Sequence, residues 1–267
     1  MSVSTAAAHK LYREDSLIGG GGRFPGIVEG RYAVRLAENE AEKMSVYRLR
    51  HDVFNVELAR QNISAESSRL EFDAYDHKCR HLIVICRDTG ETVGTYRMNT
   101  IESAGSAHGF YSSNEFTIGD LPPEILPNGI EIGRACIAAD HRNTKVLFLL
   151  WKGLLAYLAH SKKQYFFGCC SIFSRDEELG RKAFRQLFRD GWMHDQLFVT
   201  PCHDGISLTT CDDDASNIEL PSLFNMYLRI GAKICGPPMI DRDFGTIDFF
   251  VVFDVNDLNA KYRKMFS

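Results

Sequence analysis

Glu131 and Arg134 are charged, yet they stand inside an otherwise apolar run, Gly129-Ile130-Glu131-Ile132-Gly133-Arg134-Ala135-Cys136-Ile137. A buried charge with neither a partner nor a function is costly. Burial disfavours the charged form of a carboxylate, which suits Glu131 to accept a proton, directly or through water. An α-amino group titrates at about pH 8 in peptides, so a reaction on an amine near neutrality needs a base of this kind. The competing reading of Glu131 is structural, an ion pair with Arg134 or Arg97. In an ideal strand residues three apart face opposite sides. Glu131 and Arg134 therefore share a site only if the strand splays near Gly133, where glycine allows it. A splay there also frees backbone N–H groups around Gly133 to Ala135 for an oxyanion.

Other residues suited to chemistry lie elsewhere. Arg50 and Phe54 sit four apart, Asp73 and Asp76 three apart, and Arg97 ends a strand-like run. Asp73 and Asp76 suit a cationic substrate through charge-assisted contacts. Their alternative is capping and turn formation, common for Asp in loops. Arg50, Arg97 and Arg134 are fitted to bind a substrate carboxylate or to lock those acids, and locking is expected for at least one. Arg142 and Lys145 stand in a short basic turn before a long apolar segment.

These residues need elements to position them. The run at 131–137 is short, apolar and bounded by Asn128-Gly129 and Asp140, as a buried strand is. Val146 to Tyr157 is apolar on more than half of a helical wheel, and Gln164 to Ile172 reads as a second buried strand. Together they form a strand–helix–strand unit with parallel strands. Before it come a strand at 32–37, a helix at 38–57 and a hairpin of 80–87 with 92–98 turned by Asp88-Thr89-Gly90-Glu91. Asn99 to Asn128 predicts a long loop with a short helix. After the central unit come a basic amphipathic helix at 176–190, an acidic run Asp212-Asp213-Asp214, and a helix at 220–230 stopped by Gly231. Strands at 232–235 and 247–255 and a last helix at 257–266 follow. The order predicts one α/β domain over 31–267, a mixed sheet with helices on both faces. Residues 1–30, with the run Gly19 to Gly22, predict a flexible arm.

Composition narrows the class. The 267 residues are 45% hydrophobic and 25% charged, with a net charge of −4, which argues against a nucleic-acid binder. Ten Lys/Arg face three acids between His141 and Arg189, a basic segment suited to an acidic partner or anionic lipid. Eight cysteines include no C-x-x-C, so we expect free thiols in a reducing compartment, no disulfide framework and no metal site. Cys136 and Cys169 read as buried, inert thiols. There is no secretory pattern and no run long enough to span a bilayer. The expected setting is cytoplasmic, with peripheral contact at the inner face of the membrane.

The series Arg50-x-x-x-Phe54, Asp73-x-x-Asp76, Arg97, Glu131-x-x-Arg134 resembles the acyl-homoserine-lactone synthases in residue type and order. The segments 131–171 and 220–253 more closely resemble bacterial ornithine acyl-carrier-protein N-acyltransferases, relatives of which carry a hemolysin-like label. The resemblance covers about Tyr32 to Phe266. It implies a GNAT fold with a mostly antiparallel central sheet, and transfer of a (3-hydroxy)fatty acyl group from acyl carrier protein to an amino acid. L-ornithine is the acceptor it implies, in lipid synthesis. It assigns Glu131, Gly133 and Arg134 to catalysis and Arg50, Phe54, Asp73, Asp76 and Arg97 to substrate binding. No cofactor is bound, and acyl carrier protein brings the phosphopantetheine thioester as co-substrate.

Acetyl-CoA-using GNAT enzymes place R/Q-x-x-G-x-G/A before the long helix, so that backbone N–H groups cradle a pyrophosphate. Here Arg142-Asn143-Thr144-Lys145-Val146-Leu147 has neither glycine. That fits a phosphopantetheine arm with a single phosphate, held by Arg142 and Lys145. One departure is Ala135, where the group commonly has Ser, which leaves amine specificity open. Two further readings are a non-catalytic GNAT-like module that binds acyl chains or membrane, and a homoserine-lactone-type signal synthase.

Overall fold

A computed structural model describes residues 24–58, 69–208 and 217–266. The glycine run at 19–22 and the acidic run at 212–214 lie outside the described residues. The chain forms two compact units, one of residues 1–99, 132–164 and 261–267, the other of residues 100–131 and 165–260.

The first unit is built on a hairpin ladder. β1 (Ile27–Glu29) pairs with β2 (Tyr32–Leu36) through a turn at Gly30, whose φ of +58° is the left-handed region glycine enters without penalty. Phe24 packs edge-on against Tyr157 at 5.4 Å. Regular pairing thus begins inside the stretch expected to be a flexible arm, because a two-residue hairpin turn there reads in the sequence as linker. β2 runs antiparallel to β3 (Arg80–Cys86), and β3 to β4 (Thr92–Asn99). β5 (Gly129–Ile137) follows β4 in the strand order, and its residues from Ile132 onward belong to this unit.

Two helices complete the unit. α1 (Glu40–His51) starts at Asn39, whose side chain accepts the Glu42 N–H at 3.0 Å, with Glu40 and Glu42 at the positive end of the helix dipole. It widens into a π turn over Asp52–Glu57, so the expected helix at 38–57 is one segment of two geometries. Leu49, Val53 and Phe54 pack there against Cys136 of β5. α2 (Thr144–His160) is capped by Asn143 and buries Val146, Leu150, Trp151 and Leu154. It lies on β2, β3 and β4. At Gly153 a Cβ would come within 2.7 Å of Val34 and 3.0 Å of Leu82, so glycine sets how closely helix and sheet approach.

In the second unit the opening residues of β5 pair in parallel with β6 (Tyr165–Ile172), Glu131 opposite Phe167. Three strands follow: β7 (Lys233–Ile234), β8 (Met239–Asp241) and β9 (Thr246–Asp254). β9 is antiparallel to β6 along its length and also pairs with β7 and β8. α3 (Glu177–Arg189) is capped by Asp176, and α4 (Ser222–Ile230) stops at Gly231, where φ is +118°. A last helix, α5 (Ala260–Phe266), ends the description. The segment expected as a long loop with a short helix has that helix at Ile101–Ala104, and three 3-10 turns besides. No periodicity announces such turns. They are held by Phe110, Phe116 and Ile118, which pack with Phe167 and Phe250. The sheet class is the expected one: mixed and mostly antiparallel, with one parallel pair.

Candidate active site

The first unit gathers three arginines and three carboxylates into one buried network. Arg50 grips Asp76 with both guanidinium arms, at 2.7 and 2.9 Å, and its Nε pairs with Glu71. Arg97 donates to Asp73 at 2.6 Å and lies 3.5 Å from Asp76. Arg134 reaches Asp73 at 3.0 Å and Glu71 at 3.2 Å. Arg50 is 0% exposed and Asp76 1%. Three positive and three negative groups cancel, which is what lets them be buried. Burial opposes the ionisation of Asp76, but Arg50 and Arg97 outweigh it and hold its carboxyl well below the usual range.

Arg134 joins this network at a backbone cost. Its φ of +50° is left-handed, rare for a residue with a side chain. This left-handed residue lies next to Gly133, near which a splay was expected, while β5 is continuous over Gly129–Ile137. At Gly133 a Cβ would meet nothing within 4 Å.

His81 closes the network from β3. Its Nε2 lies 3.3 Å from the Asp76 carbonyl oxygen, which can only accept, so Nε2 carries the proton. Burial lowers its pKa to about 4. The unfolded imidazole titrates at about 6.5, so between these values the unfolded chain binds more protons than the folded one. Stability therefore falls as pH drops from about 6.5 to about 4, by roughly 3 kcal/mol. Denaturant titrations of wild type and His81→Gln across that window test this. The variant should lose most of the slope; equal slopes exclude His81 as its source.

The second unit carries a separate polar network around Glu131. One carboxylate oxygen accepts the Ser112 N–H at 2.7 Å and the Ser112 hydroxyl at 2.8 Å; the other accepts the Tyr111 N–H at 3.1 Å. The 3-10 turn at Tyr111–Asn114 thus clasps the side chain that β5 presents. Ser112 also receives the Cys169 thiol at 3.7 Å. Burial, and then Glu115, push that thiol well up, and burial pushes Cys136 to about 12, so neither is a thiolate near neutrality. Near Cys169, Glu115, Asp241 and Asp248 bring one oxygen each within 4.8 Å of one another.

The expected residues fall in both units. Arg50, Asp73, Asp76, Arg97 and Arg134 come together, joined by Glu71 and His81, which the motif spacing passed over. Phe54 lies in the apolar cluster with Leu49 and Cys136. Glu131 is held by Tyr111 and Ser112. Arg142, exposed, pairs with Glu57 and donates to the Ile137 carbonyl at 3.0 Å, and Lys145 is exposed in the first turn of α2. Asp248 had a readable signal, a charge inside the apolar run Ile247 to Val252, the same one that singled out Glu131. A surface hollow of ≈ 520 Å³ lined by Phe24, Leu36, Tyr157 and His160 shares no residue with either network.

Comparison with known proteins places the chain in a family. A family model described as an acetyltransferase (GNAT) domain matches residues 49–152. The chain is 30% identical over 252 residues to the L-ornithine N(alpha)-acyltransferase of Brucella abortus (strain 2308), a match covering 87% of this chain and 88% of that one. It is also 30% identical over 264 residues to the L-ornithine N(alpha)-acyltransferase of Rhizobium meliloti (strain 1021), covering 90% and 86%. Among solved structures, a CoA-dependent acyl-homoserine lactone synthase superposes with a TM-score of 0.51 at 12% identity, over 87% of this chain and 86% of that one, a likeness of fold. With the matched domain, the fold and a relative similar along nearly its whole length, the chain belongs to the L-ornithine N(alpha)-acyltransferase family and is an N-acyltransferase of the GNAT fold.

Proposed function

We propose that this enzyme transfers a fatty acyl group, 3-hydroxylated or not, from the phosphopantetheine thioester of acyl carrier protein to the α-amino group of L-ornithine. The observation that carries the acceptor is the 30% identity over 252 residues to an L-ornithine N(alpha)-acyltransferase. In this reading the amine attacks the thioester carbonyl, a C–N bond forms, the C–S bond breaks, and the carrier thiol leaves with a proton. Glu131 takes the ammonium proton directly or through a water. Two backbone N–H groups and a hydroxyl fix the orientation of its carboxylate, which limits its reorganisation during reaction. Backbone N–H groups near Gly133 and Arg134 stabilise the oxyanion. Arg50, Phe54, Asp73, Asp76 and Arg97 shape the substrate site, the charged ones through the ion-pair network that also holds Arg134. The product is an N-acyl amino acid for membrane lipid, with peripheral contact at the cytoplasmic face of the membrane. No helix among the described residues is long and apolar enough to cross a bilayer.

The test is an assay of purified protein with acyl carrier protein thioesters and CoA thioesters of matched chains against a panel of amino acids, read by mass spectrometry. N-acylornithine formed preferentially from the carrier protein is the expected result. No product from any pair with folded protein would falsify this reading. The donor assignment has its own check. Arg142 and Lys145 are exposed at the start of α2, where a single phosphate would meet them. Replacing both with Glu should raise KM for the acyl carrier protein thioester about tenfold and steepen its salt dependence, with a smaller effect on kcat. An unchanged KM removes the two residues from the dock.

A further inference from the structure

The trio Glu115, Asp241 and Asp248 is unlike a solvated acidic patch. Glu115 and Asp248 are each 3% exposed, and Asp241 keeps only part of its surface in contact with solvent. Their carboxylate oxygens crowd within 4.8 Å of one another. Asp241 has donors of its own, the Phe244 N–H at 2.8 Å and the Tyr111 hydroxyl at 3.1 Å. Asp248 accepts from the Thr246 hydroxyl at 3.2 Å. Glu115 differs: neither of its carboxylate oxygens has a hydrogen-bond partner. The Cys169 thiol and Tyr111 are polar neighbours, but neither meets hydrogen-bond geometry with it. Leaving a buried carboxyl unsatisfied is costly, and crowding it against two more acids adds to that cost. Burial and then Asp248 push the Glu115 carboxyl well up, so the cluster holds a proton when nothing else neutralises it.

A donor-rich cation relieves all of this. Three acceptors around one ammonium, each at about 2.8 Å, stand roughly 4.6 Å apart, which the 4.8 Å span accommodates. An added N–H takes a second lone pair on an oxygen that already accepts a hydroxyl, whereas inner-sphere metal ligation competes with the donors on Asp241 and Asp248. Tyr111 supplies the scale. Its backbone N–H is on Glu131 and its hydroxyl on Asp241. The proposed base and the trio are therefore one tyrosine side chain apart, comparable to the separation of the two nitrogens in an extended 2,5-diamino acid.

We propose that Glu115, Asp241 and Asp248 bind the side-chain ammonium of the acceptor amino acid, which makes them the determinant of selectivity for a diamino acid. The inference rests on the reading of the protein as an acyltransferase that uses ornithine. The site then also directs where the acyl group goes. An ammonium held among carboxylates stays protonated and non-nucleophilic, so acylation goes to the α-nitrogen.

The test compares ornithine with norvaline, which has the same carbon chain and no side-chain nitrogen. In wild type, kcat/KM for ornithine should exceed that for norvaline. In Glu115→Gln, and independently in Asp248→Asn, that ratio should fall at least about tenfold, with folding checked by thermal melting. Calorimetric titration with each amino acid gives a readout independent of acyl transfer. Wild type should bind ornithine, and the two variants should bind it at least about tenfold more weakly. A ratio unchanged in both folded variants, no preference in wild type, or no ornithine binding at all overturns the proposal. Ornithine binding that requires added magnesium or manganese and is abolished by chelator also overturns it, in favour of a metal site. If wild type binds ornithine through Glu115 but acylates no amine, the site stands and the reading of the reaction falls.

Discussion

Glu131→Gln lowers kcat by about two to four powers of ten, the range that general-base catalysis supplies. The substitution keeps the shape of the side chain and removes the group that accepts the proton. It does not leave the surroundings untouched. Glutamine has one oxygen, while Tyr111 and Ser112 direct donors at both carboxylate oxygens. One N–H then faces an amide NH2, at a cost of roughly 1–3 kcal/mol in stability. A loss of activity that tracks loss of folded protein is therefore not the expected signature. The rate is to be taken per folded molecule, well below the melting temperature, and followed against pH. A missing base is replaced progressively by solution chemistry as the amine deprotonates by itself, so the deficit should shrink as pH rises above about 8. A deficit constant with pH marks a structural role, and a full rate removes Glu131 from the mechanism.

Arg50→Met destabilises the protein by about 3–5 kcal/mol. Methionine fills much of the space of the arginine stem, so the loss is electrostatic more than steric. Arg50 supplies both arms to Asp76 and its Nε to Glu71, in a site with little access to water. Without it, three carboxylates face two guanidinium groups there. At about 2–4 °C per kcal/mol for a chain of this size, thermal melting should show a fall on the order of 10 °C. Arg50→Lys keeps the charge and loses the two-armed grip, so it should fall between wild type and methionine. A melting temperature within about two or three degrees of wild type in the methionine variant shows that the network relaxes and carries little stability. This network also positions Arg134, whose guanidinium is shared between Glu71 and Asp73. Activity should decline with it even below the melting transition.

The amino-acid sequence by itself determined the elements and the family. Apolar runs of strand length and Gly231 as a stop act on their immediate neighbours, so their consequences are readable in chain order. Glu131 and Arg134 were visible as charges in an apolar run, and Arg50, Asp73, Asp76 and Arg97 as residues suited to chemistry. What they pair with was not. Arg134 meets Asp73 across 61 positions and Arg50 meets Asp76 across 26, through the register of sheet and loop. Glu71, two residues from Asp73, offered nothing in its spacing to mark it as the bridge between two arginines. Glu131, read as a base or else as the ion-pair partner of an arginine, accepts from Tyr111 and Ser112, which lie in a segment without periodicity. Glu115 is far in the chain from Asp241 and Asp248, and the three converge only once β9 and the 3-10 turns are placed. Local signals set helices and strands because backbone hydrogen bonding and capping are short-ranged. Electrostatic partnership depends on distance through space and on exclusion of water, and only the tertiary structure decides those.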